Sequence, residues 1–150
     1  MRTFETIAEL KDLLGQEIGV SDWITVTQER IQLFADATND HQWIHLDPKR
    51  AKTGPFKTTI THGFFTLSLL PEMSASAFEV RGTRMGVNYG LNKVRFPAPV
   101  PSGSRLRGHF KLVSYEPLEG GAQITVLVTM EREGSDKPVC IAESLSRRYA

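Results

Sequence analysis

The chain has 150 residues, 40% of them apolar and 23% charged, with a formal net charge of +1. That length suits one domain, residues 1–150, with a real core, and the near-neutral charge argues against nucleic acid or an anionic membrane as main partner. The lone cysteine, Cys140, rules out an intramolecular disulfide and a thiolate metal cluster. Its neighbours Val139, Ile141 and Ala142 read as a strand, which makes it a buried, inert thiol. No apolar leader opens the sequence and no stretch approaches the ~20 apolar residues of a membrane span, so a cytoplasmic location is expected.

Taken in order, Thr6 and Glu9 form a capping-box pattern that opens a helix over residues 6–14, with Gly15 as its C-terminal stop. An extended segment with Val20, Trp23 and Ile24 follows. Thr27 caps a second helix, whose Ile31, Phe34, Ala35 and Thr38 share one face and whose end falls at Asn39. Asp47-Pro48 starts a short helix reaching Lys52, and Gly54-Pro55 breaks it. From Thr61 the pattern turns strongly apolar through Phe64, Phe65, Leu67, Leu69, Leu70 and Met73, predicting a helix buried on nearly all sides, kinked or ended by Pro71 and continuing towards Phe78.

Downstream the period changes to two. Residues 85–96 read as one long or interrupted strand, with Gly86 and Gly90 marking bulges, and a Pro-rich loop over 97–103 follows. Residues 106–115, 123–131 and 139–149 alternate as three more strands. Helices first and antiparallel strands second is the α+β order, and the one strongly apolar helix invites a curved sheet around it. An open sheet of this size leaves an edge, so pairing with a second copy is expected.

The chemistry-bearing residues gather in 39–70. Asp40 and His45 stand five apart at the exit of a helix, where a carboxylate can orient an imidazole and the two can hold a water between them. A capping Asp and a loop His is the plainer alternative. His62-Gly63 opens the apolar helix, and a glycine there lets a ligand approach backbone N–H groups at the positive end of the helix; a plain turn glycine explains it equally. A metal cluster of Asp40, His41, His45, Asp47 and His62 is the weaker reading, because Gln42 follows His41 where a zinc-binding helix would carry Glu. Ser68 has no nucleophile-elbow context, and the glycines of 82–90 lack the strand-to-helix placement of a dinucleotide site.

The run from Phe34 to Pro48, with Asp40, His45 and Asp47-Pro48 in it, then Ala51, Phe56 and the run Thr59-Ile60-Thr61-His62-Gly63-Phe64, resembles the hydratase signature of the MaoC-like, (R)-specific enoyl-CoA hydratases. It is similar above all to the branch described as NodN-like or as mycobacterial 3-hydroxyl-thioester dehydratases, and the likeness extends through 88–100. The resemblance implies the hotdog fold, a long helix wrapped by a curved antiparallel sheet. It implies Asp40 and His45 as the catalytic pair and Gly63 as the residue whose backbone amide holds the thioester carbonyl.

The resemblance also places Gln42, Trp43, His62, Phe64 and Ser68 around the substrate. Asn39, Gln42 and Trp43 stand where the family has Gly, Asn and Pro; Gln42 keeps an amide, whereas Trp43 adds bulk that would reshape the acyl pocket. His62 serves to shape the loop presenting Gly63. The implied activity is reversible hydration of a trans-2-enoyl thioester, with coenzyme A or acyl carrier protein as part of the substrate, no cofactor, and a homodimer. Lys93, Arg95, Arg105 and Arg107 are candidates for the carrier's phosphates. A hotdog thioesterase and a non-catalytic acyl-thioester binder are the alternatives.

Overall fold

Where the sequence period is two, the chain builds one curved sheet, and where it is helical the chain fills that sheet's hollow. The computed structural model describes residues 1–150. Strands β2 (Glu17–Val20), β5 (Met85–Arg95), β6 (Arg105–Leu118), β7 (Gly121–Arg132) and β8 (Cys140–Tyr149) lie in the order β2-β6-β7-β8-β5, and β3 (Ile24–Thr25) also pairs with β6. Every pairing in this sheet is antiparallel. A separate parallel pair joins β1 (Arg2–Phe4) to β4 (Phe78–Val80).

The helices are α1 (Gln28–Thr38), α2 (Trp43–Leu46), α3 (Pro48–Ala51), α4 (Gly63–Ser68) and α5 (Leu70–Ala77). Phe65, Leu69, Met73 and Ala77 recur every four residues along α4 and α5, forming the ridge that packs into the sheet against Phe110, Leu112, Val126 and Val128. At one point the approach is too close for any side chain: a Cβ on Gly19 of β2 would sit 2.5 Å from the Ala77 carbonyl oxygen. This is the hotdog arrangement. No helix is long and apolar enough to cross a membrane.

The central helix breaks next to Pro71, as expected: Pro71 has no N–H to offer the Leu67 carbonyl and Leu69 flattens to ψ −9°. Three expectations need correction. The first helix is a 3-10 helix, Ile7–Leu13, in which the Glu9 carboxylate accepts from the backbone N–H groups of Glu5 and Thr6 at 3.2 Å. The central helix is not buried on nearly all sides. Phe64 is 71% exposed and Ser68 lies open, since only the ridge faces the sheet. Finally, Phe78 leaves the helix and enters β4.

The long strand β5 has register breaks between Asn88 and Gly90 and between Leu91 and Val94. It is one edge of the sheet, exposed along almost its whole length. Cys140 opens β8, fully buried, and burial pushes its thiol up to about 11.

Candidate functional site

The site begins where α1 stops. The Thr27 hydroxyl caps that helix by accepting from the Arg30 N–H at 3.1 Å, and Asn39 ends it in the left-handed region at φ 60°. That turn releases Asp40 into an exposed position just before α2. Residues 59–60 are sewn to α2 on the other side. The Gln28 side-chain amide donates to the His45 carbonyl at 2.7 Å while its oxygen accepts from the Thr59 hydroxyl at 2.7 Å. The Ile60 N–H donates to the Ile44 carbonyl at 3.0 Å.

This stitching fixes the chemistry of His45. Its Nδ1 lies 2.6 Å from the Ile60 carbonyl oxygen, which can only accept, so Nδ1 carries the proton. In the neutral ring Nε2 is then the basic nitrogen. The ring is 6% exposed, and burial, with His62 as a lesser cause, holds its pKa below the ordinary 6.5 against the opposing pull of the Ile60 carbonyl and Asp40. His62 is fixed in the same way: its Nε2 donates to the Asp40 carbonyl at 3.1 Å. The two imidazoles stack with centroids 3.8 Å apart, and Phe34 of α1 backs His62 at 4.9 Å.

Ligand atoms of Asp40, His45 and His62 all lie within 4.8 Å of one another. Beside them is a cleft of about 390 Å³, lined by Ile44, His45, Gly63, Thr66, Phe96 and Val100 among others. Gly63 is the first residue of α4, and its N–H donates to no backbone carbonyl. A Cβ at Gly63 would lie 3.1 Å from the Phe96 ring, so the bare backbone is what lets the ring close the cleft. Three buried polar atoms here, the hydroxyls of Thr61 and Thr66 and Nδ1 of His62, have no protein partner. Buried polar atoms of this kind are ordinarily met by water or by a ligand.

A family model described as "MaoC like domain" matches residues 9–133 of this chain. The chain belongs to the MaoC-like family. This MaoC-like protein is accordingly an enzyme of the dehydratase and hydratase class. It is 58% identical over 151 residues to the 3-hydroxyacyl-thioester dehydratase Z of Mycobacterium tuberculosis (strain CDC 1551 / Oshkosh), all of both chains being covered. It is 48% identical over 141 residues to nodulation protein N of Rhizobium leguminosarum bv. viciae, covering 91% of this chain and 87% of that protein. Among solved structures, the unliganded R-hydratase PhaJ1 from Pseudomonas aeruginosa superposes with a TM-score of 0.77 at 23% identity, covering 96% of this chain and 85% of that one. That likeness carries the fold.

Not every residue singled out in the sequence of the MaoC-like protein meets at the cleft. Gln42 caps α2 with an exposed side chain, and only its backbone N–H reaches Asp40, at 3.4 Å from Oδ1. Trp43 turns away, stacking under the Arg50 guanidinium at 4.2 Å and packing on Gly54; its neighbour Ile44 lines the cleft instead. Phe64 meets the edge of Phe96 at 6.4 Å on the outside of the cleft. The Ser68 hydroxyl donates back to the Phe64 carbonyl at 2.6 Å and faces a separate groove with Tyr89 and Leu91.

Gln28, Ile60, Thr66 and Phe96 build the site and were not anticipated. Gln28 lies 17 residues from the carbonyl it binds, and no local pattern announces that. The rings of His45 and His62 lie nearly face to face at 25°, and each holds a backbone carbonyl with one nitrogen and leaves the other free.

Proposed function

We propose that this protein catalyses the reversible hydration of trans-2-enoyl thioesters to (R)-3-hydroxyacyl thioesters, with Asp40, His45 and Gly63 as its working parts. The observation that carries the reading is the locked tautomer of His45, which leaves Nε2 as a neutral base beside the Asp40 carboxylate in a cleft that also holds the Gly63 amide. A water held between Asp40 and His45 gives a proton to Nε2 as its oxygen bonds to the β-carbon. The π electrons move to the thioester oxygen, which the Gly63 N–H stabilises. The α-carbon then takes a proton from the protonated His45–Asp40 pair, which returns His45 to its neutral form, and the carbonyl re-forms.

Removing one such oxyanion donor typically costs about 3–4 kcal/mol of barrier. Because α4 has only six residues before the break at Leu69, the direct hydrogen bond counts for more here than the helix dipole. Relatives named as acting on 3-hydroxyacyl thioesters support the substrate class.

Coenzyme A is the proposed carrier. Arg105 and Arg107 are already paired with Glu133 and Glu131 and lie over Trp23. Lys93 and Arg95, next to Phe96 at the cleft, make no ion pair and are the ones left to meet phosphates. The protein is proposed to work as a homodimer joined through β5, whose exposed Met85, Val87, Tyr89 and Leu91 and unpaired backbone edge suit a second copy.

Incubation with crotonyl-CoA, following enoyl absorbance and free thiol together, tests the reading. Loss of the enoyl signal without thiol release is expected. Thiol release would make the protein a thioesterase, and no change with short or long chains would make it a binder.

A further inference from the structure

A second cleft, of about 550 Å³, lies away from His45 between α5 and the inner faces of β5 and β8. It shares Leu70, Pro71, Asn88 and Ser144 with the groove that starts at Leu67 and Ser68 on α4, so the two form one trough running along the helices. The catalytic cleft and this trough share no lining residue but adjoin on α4, where Thr66 lines the one and Leu67 the other. From Gly63 to Ser74, which borders the far cleft, is roughly 16 Å of helix, the reach of an acyl chain of about a dozen carbons.

The walls of this cleft break the pattern of the sheet. On β7 the residues Val128, Val126, Ile124 and Ala122 are apolar, as a concave core face should be. Their partners across the ladder on β8 are Ala142, Ser144, Ser146 and Arg148. The two serines, with Gly86 on β5, leave the space open, and Arg148 stands at its end.

Arg148 is uncommitted. Its guanidinium lies over the Phe78 ring at 5.0 Å, forms no ion pair, and its buried Nε has no hydrogen-bond partner. The Thr83 hydroxyl in the same cleft is buried without a partner as well. The other charges nearby are spoken for: Arg81 pairs with Glu5 at 2.7 Å and with Glu79 at 3.8 Å. A part-buried cation held beside an unsatisfied hydroxyl, in a trough walled by apolar residues on one side and by Asn88, Ser144 and Ser146 on the other, matches a carboxylate that arrives with an apolar chain.

We propose that this trough holds the acyl chain and that Arg148 receives a carboxylate at the chain's far end, so that ω-carboxyacyl thioesters are preferred substrates. This rests on the reading of the site as an enoyl-thioester hydratase. The test compares two trans-2-enoyl-CoA esters of equal length, about a dozen carbons, one ending in a methyl group and one in a carboxylate. The wild type is expected to favour the carboxylate by about tenfold in kcat/KM, mainly through KM, a preference worth about 1.4 kcal/mol. Arg148→Gln should bring the ratio close to one, and Arg148→Lys should keep part of it.

A wild-type ratio of one or less overturns the proposal, as does a ratio unchanged in Arg148→Gln. Loss of dimer in Arg148→Gln with the ratio unchanged gives the arginine to the subunit interface instead. If neither ester is hydrated, the hydratase reading has failed, and calorimetric titration with free dodecanedioate and dodecanoate decides the arginine site separately. Tighter binding of the diacid, lost in Arg148→Gln, upholds that site; equal or absent binding removes it.

Discussion

At His45 and at His109 the chain sets an imidazole beside a carboxylate, and the surroundings make opposite uses of the pair. His109 stands on the outer face of β6, where its Nε2 lies 2.6 Å from Glu131 and its Nδ1 3.5 Å from Glu17. Arg107 takes the same Glu131 at 2.8 Å, and together Arg107 and His109 hold that carboxyl below the usual range. Each of these groups has a side-chain partner, and the cluster stands about a third or more in solvent. At His45 the imidazole is tied to backbone instead, one nitrogen stays basic, and Asp40 has no cation to neutralise it. A carboxylate–imidazole pair becomes reactive by what is left unmade around it.

The comparison breaks first at His45. His45→Gln is expected to lower hydration by about 10³-fold and Asp40→Asn by at least 10², the usual reach of general base catalysis, with far-UV circular dichroism and melting temperature close to wild type. A near wild-type rate in either variant would remove the roles proposed here.

Acidity gives the next effect. A base whose pKa is held below 6.5 keeps its lone pair into mildly acidic solution, so the acid limb of kcat/KM should fall below pH 6.5. Stability follows the same sign. Below the unfolded pKa the unfolded chain binds the proton that buried His45 resists, so wild-type stability should drop as pH falls from 6.5 towards the lower folded value. Denaturant titrations of His45→Gln should show less of that drop.

The smallest effect belongs to the outer cluster. His109→Gln should leave hydration unchanged and cost no more than about 1 kcal/mol in urea unfolding, because exposed ion pairs contribute little. A large loss of activity there would mean that the two clusters are coupled.

What could be read from the sequence was local. The five-residue step from Asp40 to His45 lies within one turn of chain, so residue spacing alone brings them close, and the caps at Thr27 and Asp47 announce themselves for the same reason. The basic nitrogen of His45 was not legible, since the carbonyl that selects it is 15 residues away. Counting apolar residues on the central helix gave too much burial because it cannot say which neighbours exist: a sheet covers the Phe65–Met73 ridge, and nothing in this chain covers Phe64. Trp43 misled through its size. A guanidinium and a glycine satisfy its ring outside the cleft. The polar inner face of β8 needed the β7 register before its serines and arginine could be told from a solvent face.

Cys140 has a practical consequence. Buried at the start of β8 with its thiol raised to about 11, it keeps only about one part in 10⁴ as thiolate at neutral pH, before any hindrance to access. In a native assay the chain's only sulfhydryl is therefore silent, and any colour from a thiol reagent belongs to released carrier. Added denaturant reverses the arrangement. The same residue then becomes a clock for the opening of the β7–β8 ladder, timed by how fast it is alkylated.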